Sequence, residues 1–265
     1  MRVVVKVGGR VVDSNLEGVL ESIAIHSRSH ELFIVHGGGD QVTRYSVKMG
    51  VKPRFVVSPS GVRSRYTSLE ELEVYVMVMA GKINKEIVAG LYRRGVKAVG
   101  LTGADGGLLV AERKKRIIIV DERGRKRVIE GGYTGRIIRV NKSLIEKLSE
   151  MGYTVVVAPI AVSGEGELLN VDGDQAACSI AGALKADYLV MLTDVEGLIM
   201  DGEVVRRIGV GEVEEMASKA GFGMNRKLLM IKKALEEGVG RAVIASGLVK
   251  DPVGEALSGN GTVIG

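Results

Sequence analysis

Lys6 lies inside an apolar run, RVVVKVG (residues 2–8), and is followed at once by Gly8 and Gly9. A lysine in such a run needs an anionic partner, because an unpaired buried ammonium is costly. Lys227 closes a second glycine-bearing stretch, GFGMNRK (221–227), at the start of a helix-like segment. A cation at a helix N-terminus is disfavoured by the helix dipole, which points to an anion bound there. NVDGDQAA (170–177) sets Asp172 and Asp174 two residues apart, just ahead of an apolar helical stretch. Read alone, the two carboxylates are open to three jobs: metal ligands, an acid/base pair, or a helix cap. VHGGGDQV (35–42) adds Gly37, Gly38 and Gly39, with Asp40 placed to cap the next helix. Bare glycine N–H groups at a strand-to-helix turn approach an anion closely, and the following helix adds a favourable dipole. Two lysines meeting at an anion between glycine loops form an arrangement for phosphoryl transfer, which needs alignment and charge neutralisation above all.

The elements that must position these groups follow from the hydrophobic pattern. Strands are predicted over 2–8, 31–37, 97–103, 154–162, 188–194 and 240–247. Several are nearly continuous apolar runs, as parallel strands covered on both faces should be. Helices are predicted over 15–28, 40–49, 68–94, 141–151, 173–186, 211–220 and 223–238. This alternation predicts a doubly wound α/β sandwich, whose ligands sit beyond the carboxyl ends of the strands. RIIIVDERGRKRVI (116–129) breaks the rhythm and reads as an inserted antiparallel hairpin. A lobe boundary is expected near 155–170, dividing the chain into 1–165 and 166–265. No GxxxxGK[ST] or GxGxxG occurs, which disfavours a P-loop or a dinucleotide fingerprint.

The bulk properties narrow the classes further. The 265 residues allow one large α/β domain or two lobes. Trp is absent and aromatics make up 4%, so the core must be aliphatic. No apolar stretch is long enough to span a bilayer and no secretory signal opens the chain, so a cytoplasmic protein is expected. One cysteine, Cys178, excludes an internal disulfide and a multi-cysteine metal site; it reads as a small buried hydrophobe. His36 reads as a structural residue at a strand end, and the Met-containing stretch 74–81 as helix core or a dimer contact. Tyr66 and Tyr133 are open to acceptor contact or to packing. The net charge of +5 is unevenly spread: ERKKRIIIVDERGRKR (112–127) carries eight Lys/Arg against three acids. That segment is either a solvated hairpin or a docking surface for an acidic partner. Nucleic acid is disfavoured, because the patch lacks aromatics for stacking.

KVGG, HGGG, GVRSRYT (61–67), LLNVDGDQAA (168–177), LTDVEG (192–197) and GFGMNRK occur in that order. Together they resemble the amino-acid kinase family, in its N-acetylglutamate kinase branch, over nearly the whole chain. The resemblance implies a three-layer αβα sandwich on a mainly parallel sheet of about eight strands, the fold shared with carbamate kinases. It implies an acceptor-binding and dimerising lobe (1–165) and an ATP-binding lobe (166–265). The implied chemistry is transfer of the γ-phosphoryl of ATP to a carboxylate, with Mg²⁺ carried by the nucleotide and no metal ligands on the chain. By the same resemblance Lys6 and Lys227 neutralise the transferring phosphoryl, and Asp174 holds the two lysines. Gly9 and Gly38 donate N–H groups to the phosphoryl, and Gly37 to Gly39 line the acceptor pocket. Arg63 clamps a substrate carboxylate and Asn170 binds the acceptor's α-substituent. Gly8, Gly9, Thr193, Asp194, Gly223 and Met224 fall at the nucleotide. Asp172 stands where acetylglutamate kinases usually have Asn.

Three features depart from the acetylglutamate enzymes: Arg65 and Tyr66 beside the clamp, the basic hairpin at 112–130, and EGGYTGRI (130–137). They resemble kinases acting on α-aminoadipate or glutamate attached to a small acidic amino-group carrier protein, LysW. Arg63, Arg65 and the hairpin would then form a cationic rim for that carrier. An acetylglutamate kinase with a charged hairpin is the other enzyme reading, and a nucleotide-sensing protein the non-enzyme one. By resemblance alone a homodimer is expected, since Met1 abuts the first strand where arginine-sensitive hexamers carry an extra helix. The two acceptors differ by one methylene, which leaves lysine and arginine biosynthesis both open.

Overall fold

The β-branched runs of the sequence become the strands of one eight-stranded sheet. A computed structural model describes residues 1–221 and 223–265. Across the sheet the strands run Arg207–Ile208, Thr262–Ile264, Arg241–Ser246, Tyr188–Thr193, Arg2–Val7, Glu31–His36, Thr154–Ala158 and Ala98–Thr102. Every pairing is parallel except that of Arg241–Ser246 with Thr262–Ile264. Helices on both faces bury the central strands, so Val3, Val4, Val5, Ile34, Val156, Val190 and Val243 are inaccessible to solvent. Full burial on both faces is why these strands read as unbroken apolar runs rather than as an alternation.

The strand Arg2–Val7 pairs with Glu31–His36 on one side and Tyr188–Thr193 on the other. It therefore stands where strand order reverses, the place at which open α/β sheets bind ligands. Strands drawn from 1–165 and from 166–265 meet along this line in one continuous sheet. A second sheet orders Leu168–Asn170, Ile160–Val162, Leu109–Arg113 and Gly135–Val140. The predicted strand 154–162 is thus two strands in different sheets, divided at Pro159, which has no N–H to continue a ladder. The predicted hairpin is present, with Arg116–Val120 antiparallel to Lys126–Glu130 and Gly124 at φ 74° in its turn.

Two helices differ instructively from expectation. The first runs Gly9–His26 rather than from residue 15, and Asn15 is its non-helical point at φ −146°. The Asn15 amide donates to the carbonyls of Gly247 and Val249 at 2.8 and 3.0 Å, which holds the kink. The segment 68–94 is not one α-helix. A π-helical turn, Met77–Ile83, separates Leu69–Val76 from Asn84–Arg93. The hairpin Arg54–Val57 with Arg63–Tyr66, which no sequence pattern announced, lies just ahead of it.

Candidate active site

Two glycine loops touch backbone to backbone at the carboxyl ends of the first two strands. A Cβ on Gly37 would lie 2.7 Å from the Gly9 nitrogen, and one on Gly9 would lie 3.0 Å from the Gly38 nitrogen. Only glycine lets the loops meet this closely. A side chain on Gly38 would collide with Ile83 Cδ1 from the π-helical turn. Neither the Gly9 nor the Gly38 N–H has a backbone partner among the described residues, so both remain available to an anion. Asp40 does not cap its helix. The N-cap is Gly38, and Asp40 lies in the first turn, where its charge still favours the dipole.

His36 explains how the Gly37–Gly38 peptide is held. Its ring is fully buried; Asn84 Nδ2 donates to Nε2 at 3.3 Å and also to the Val156 carbonyl at 3.0 Å. With Nε2 accepting, the proton is on Nδ1, which donates to the Gly37 carbonyl at 3.1 Å. A trans peptide sets C=O and N–H antiparallel, so fixing this carbonyl aims the Gly38 N–H the opposite way. Burial lowers the His36 pKa to about 4, which keeps the ring neutral.

Lys6, Asp174 and Lys227 meet at the same place. Lys6 Nζ lies 2.7 Å from Asp174 Oδ1, an ion-pair contact off the axis of a well-directed hydrogen bond. Lys227 Nζ donates to Oδ2 at 2.6 Å. The three side chains are 13%, 19% and 10% exposed, so water screens them weakly. Burial opposes ionisation of Asp174, but the two ammonium groups outweigh it and hold the carboxyl far below the ordinary range. Burial pushes the Lys6 ammonium down, and Asp174, helped by Asp172, pushes it up; the net direction is up. Lys6 arrives from the first strand, Asp174 from the first turn of helix Gly173–Leu184, and Lys227 from the first turn of helix Met224–Glu236.

Asp172 resolves differently from its neighbour. It is the N-cap of helix Gly173–Leu184 and accepts from the Gln175 N–H at 3.0 Å, while Arg226 Nη1 lies 3.5 Å from its Oδ2. Of the three jobs open to the aspartate pair, capping falls to Asp172, while Asp174 pairs with two lysines, a fourth job.

Lys6, Asp172, Asp174 and Arg226 line a cavity of about 700 Å³ that also takes in Gly37 to Gly39, Arg63, Arg65, Asn170 and Ile117 and Ile119 of the basic hairpin. Asn170, on the cavity lining, donates from Nδ2 to buried Thr67 Oγ1 at 2.9 Å, and its side-chain oxygen has no hydrogen-bond donor among the described residues. Arg63 is exposed, stacks 3.9 Å over Phe55, and has no carboxylate partner among the described residues. Arg65, expected beside Arg63 at the substrate and the rim, lies on the cavity lining with its guanidinium already engaged from within the chain. Its guanidinium is ion-paired with Glu71 and donates to Gly39 O at 2.8 Å and Thr43 Oγ1 at 2.6 Å. Glu71 is 2% exposed and requires a cation, which Arg65 supplies. Tyr66 and Tyr133 carry stacked guanidinium groups, of Arg54 at 4.6 Å and Arg113 at 4.1 Å, and pack rather than line the cavity.

Gly8, Gly9, Thr193 and Asp194 gather at the reversal point of strand order, where Gly8 N–H donates to the Leu192 carbonyl at 2.9 Å. Thr193 Oγ1 donates to Asp194, whose other oxygen is held by Arg10 at 2.6 Å. Gly223, at φ 92°, is the N-cap of helix Met224–Glu236, and Met224 packs against the core below it. Among the described residues no three His, Cys, Asp or Glu side chains cluster as a metal site.

The description of the Amino acid kinase family matches residues 1–246. The chain belongs to the amino acid kinase family. This kinase is 51% identical over 265 residues to the LysW-aminoadipate/LysW-glutamate kinase of Sulfolobus acidocaldarius, with 99% of each chain covered. It is 52% identical to the protein of that name from Sulfurisphaera tokodaii, again across 99% of both chains. Among solved structures it resembles the N-acetylglutamate synthase of Neisseria gonorrhoeae with a TM-score of 0.83 at 25% identity. That likeness covers 99% of this kinase and 59% of the synthase, which is the longer chain. The carbamate kinase of Giardia lamblia bound to AMP-PNP shares the fold, with a TM-score of 0.70 at 17% identity and 99% of this kinase covered. No helix is long and apolar enough to cross a membrane among the described residues.

Four residues at or behind the cavity differ in how strongly local sequence marks them. Thr67 closes GVRSRYT (61–67) and Arg226 directly precedes Lys227, so motif position points to both. Lys114 is one charge among eight in the basic segment. Asn84 carried no signal, because its partner His36 is 48 residues away.

Proposed function

We propose that the protein is an ATP-dependent kinase for the side-chain carboxylate of α-aminoadipate, glutamate or both, borne on the carrier protein LysW, within lysine or arginine biosynthesis. The observation that carries this reading is one cavity lined both by Lys6 and Asp174, the latter also paired with Lys227, and by Lys114 and Ile117 to Ile119 of the basic hairpin. Arg63 clamps the acceptor's α-carboxylate and Asn170 accepts from the amide on its masked amine. The side-chain carboxylate then forms a bond to the γ-phosphorus of ATP while the bond to the bridging oxygen breaks, and ADP leaves. An ionised carboxylate needs no base, so the chain's task is alignment and neutralisation. Lys6 and Lys227 spread positive charge over the transferring group, and the Gly9 and Gly38 N–H groups receive its oxygens. Gly8, Thr193, Asp194, Gly223 and Met224 lie on the nucleotide side. Mg²⁺ carried on the phosphates would supply further charge neutralisation there, while both Asp174 oxygens are engaged by ammonium groups.

The hairpin supports an acidic partner. Asp121 engages Arg125 and Arg127, and Glu167 engages Arg113, which leaves Lys114, Lys115, Arg116, Arg123 and Lys126 without ion-pair partners among the described residues. The reading extends to a cytoplasmic homodimer, for which exposed Leu69 and Met77 offer apolar surface. The test is acyl-phosphate formation, trapped as hydroxamate, from carrier-linked aminoadipate, carrier-linked glutamate and free N-acetylglutamate. Turnover of the conjugates that weakens with salt supports the proposal; comparable turnover of free N-acetylglutamate favours an acetylglutamate kinase instead.

A further inference from the structure

Two cations on the cavity wall have no part in the reaction as derived. Arg226 stands in the first turn of helix Met224–Glu236, a turn that holds no acid. The helix dipole disfavours a guanidinium there. Asp172 holds it at 3.5 Å, long for a charge-assisted bond, and the two side chains remain 35% and 36% exposed. Lys114 reaches the same cavity from the turn between strands Leu109–Arg113 and Arg116–Val120. Its backbone is fixed by donation to the Thr134 carbonyl at 2.9 Å and by close contact with Gly131. No carboxylate pairs with Lys114 among the described residues, and Asp172 acts on it only from beyond ion-pair range. Surrounding protein holds its ammonium below the ordinary lysine value, with Arg226 adding to the effect, although solvent still reaches the side chain. Two neighbouring cations, one unpaired and one loosely paired, facing a cavity already supplied with a carboxylate clamp, describe a second anion site.

We propose that Lys114 and Arg226 form a second carboxylate site of the acceptor cavity, reading a carboxylate in the acyl group that masks the acceptor's amine. It rests on the reading of this cavity as the acceptor site. Arg63 takes the carboxylate on the α-carbon, and the second site takes one farther along the acyl chain. An arginine suits this task because its planar fork meets a carboxylate on two donors. Asp172 keeps Arg226 neutralised until the ligand arrives. When displaced, Asp172 retains the Gln175 N–H as its partner, so the exchange strands no buried charge. The site distinguishes an acceptor acylated by an acidic residue from one acylated by acetate, which has nothing to place there.

The test uses two small probes, N-succinyl-glutamate and its neutral isostere N-succinamoyl-glutamate, with binding to the full-length protein measured by calorimetry at low salt. The wild type should bind the succinyl compound about tenfold more tightly, the lower end for a charge-assisted contact open to solvent. Arg226→Ala should remove that preference. Asp172→Asn should widen it several-fold, since Asn caps a helix as well as Asp does and no longer competes for Arg226. Equal binding of the probes by the wild type overturns the assignment, as does an unchanged preference in Asp172→Asn. An equal loss on both probes in Arg226→Ala has the same force. Failure of the carrier conjugates to turn over would remove the proposed function and leave this binding preference standing.

Discussion

Replacing Asp174 with Asn keeps the shape of the side chain and removes the one charge that holds Lys6 and Lys227 together. The two ammonium groups sit 2.7 and 2.6 Å from its oxygens. That places them roughly 5 Å apart, and at an effective dielectric of about 20 their repulsion is about 3 kcal/mol. In the wild type each Lys–Asp attraction, at about 3 Å on the same scale, comes to about 5 kcal/mol before desolvation is counted. Asp174→Asn forfeits both attractions and leaves the repulsion. One lysine must move away or lose its proton, and 3 kcal/mol corresponds to about two pK units. Lys6, raised in the wild type by Asp174 against its own burial, should then titrate within the range of an ordinary assay. The expected result is a kcat about a hundredfold lower or worse at pH 7, with a further fall toward pH 9 that the wild type does not show. Acceptor KM should change far less, because Arg63 and Asn170 are untouched. ADP release followed from pH 6.5 to 9.5, with thermal melting to confirm folding, reads all three quantities. A variant with kcat within threefold of the wild type and a flat profile would refute the organising role of Asp174.

Two further substitutions test other parts of the cavity. Arg63→Ala should raise acceptor KM about tenfold to a hundredfold with kcat little changed, the value of a charge-assisted contact to a carboxylate; an equal fall in kcat would place Arg63 in the chemistry instead. His36, lowered to about pKa 4 by burial, is neutral when folded and takes up a proton on unfolding below its ordinary value of 6.5. The unfolded state then binds more protons, so this stability is present above pH 6.5 and is lost as pH falls toward 4, by about 3 kcal/mol in full. Denaturant titrations across that range should show a shallower loss in His36→Gln than in the wild type, and parallel curves would contradict the assignment.

The chemistry of this kinase was legible in local sequence wherever a residue's neighbours along the chain decide its place. A lysine within an apolar strand, glycines at strand ends and an aspartate ahead of an apolar helix are short-range patterns, and strand burial follows from composition alone. The hairpin at 116–129 was equally plain, because its register is set by a short turn. What the tertiary structure decided was which charge meets which. Arg63 and Arg65 are two residues apart with the same chemistry, yet buried Glu71 neutralises Arg65 and leaves Arg63 without a carboxylate partner among the described residues. Asp172 and Asp174 separate for the same reason: Arg226 and Lys227 arrive side by side from a distant helix, one to each. Even the aim of the Gly38 N–H depends on Asn84, brought to His36 by a π-helical turn that no periodicity foretold. Side-chain type limits which partners are chemically acceptable, but a counter-ion acts over a few ångströms, and only the packed chain brings two groups that close.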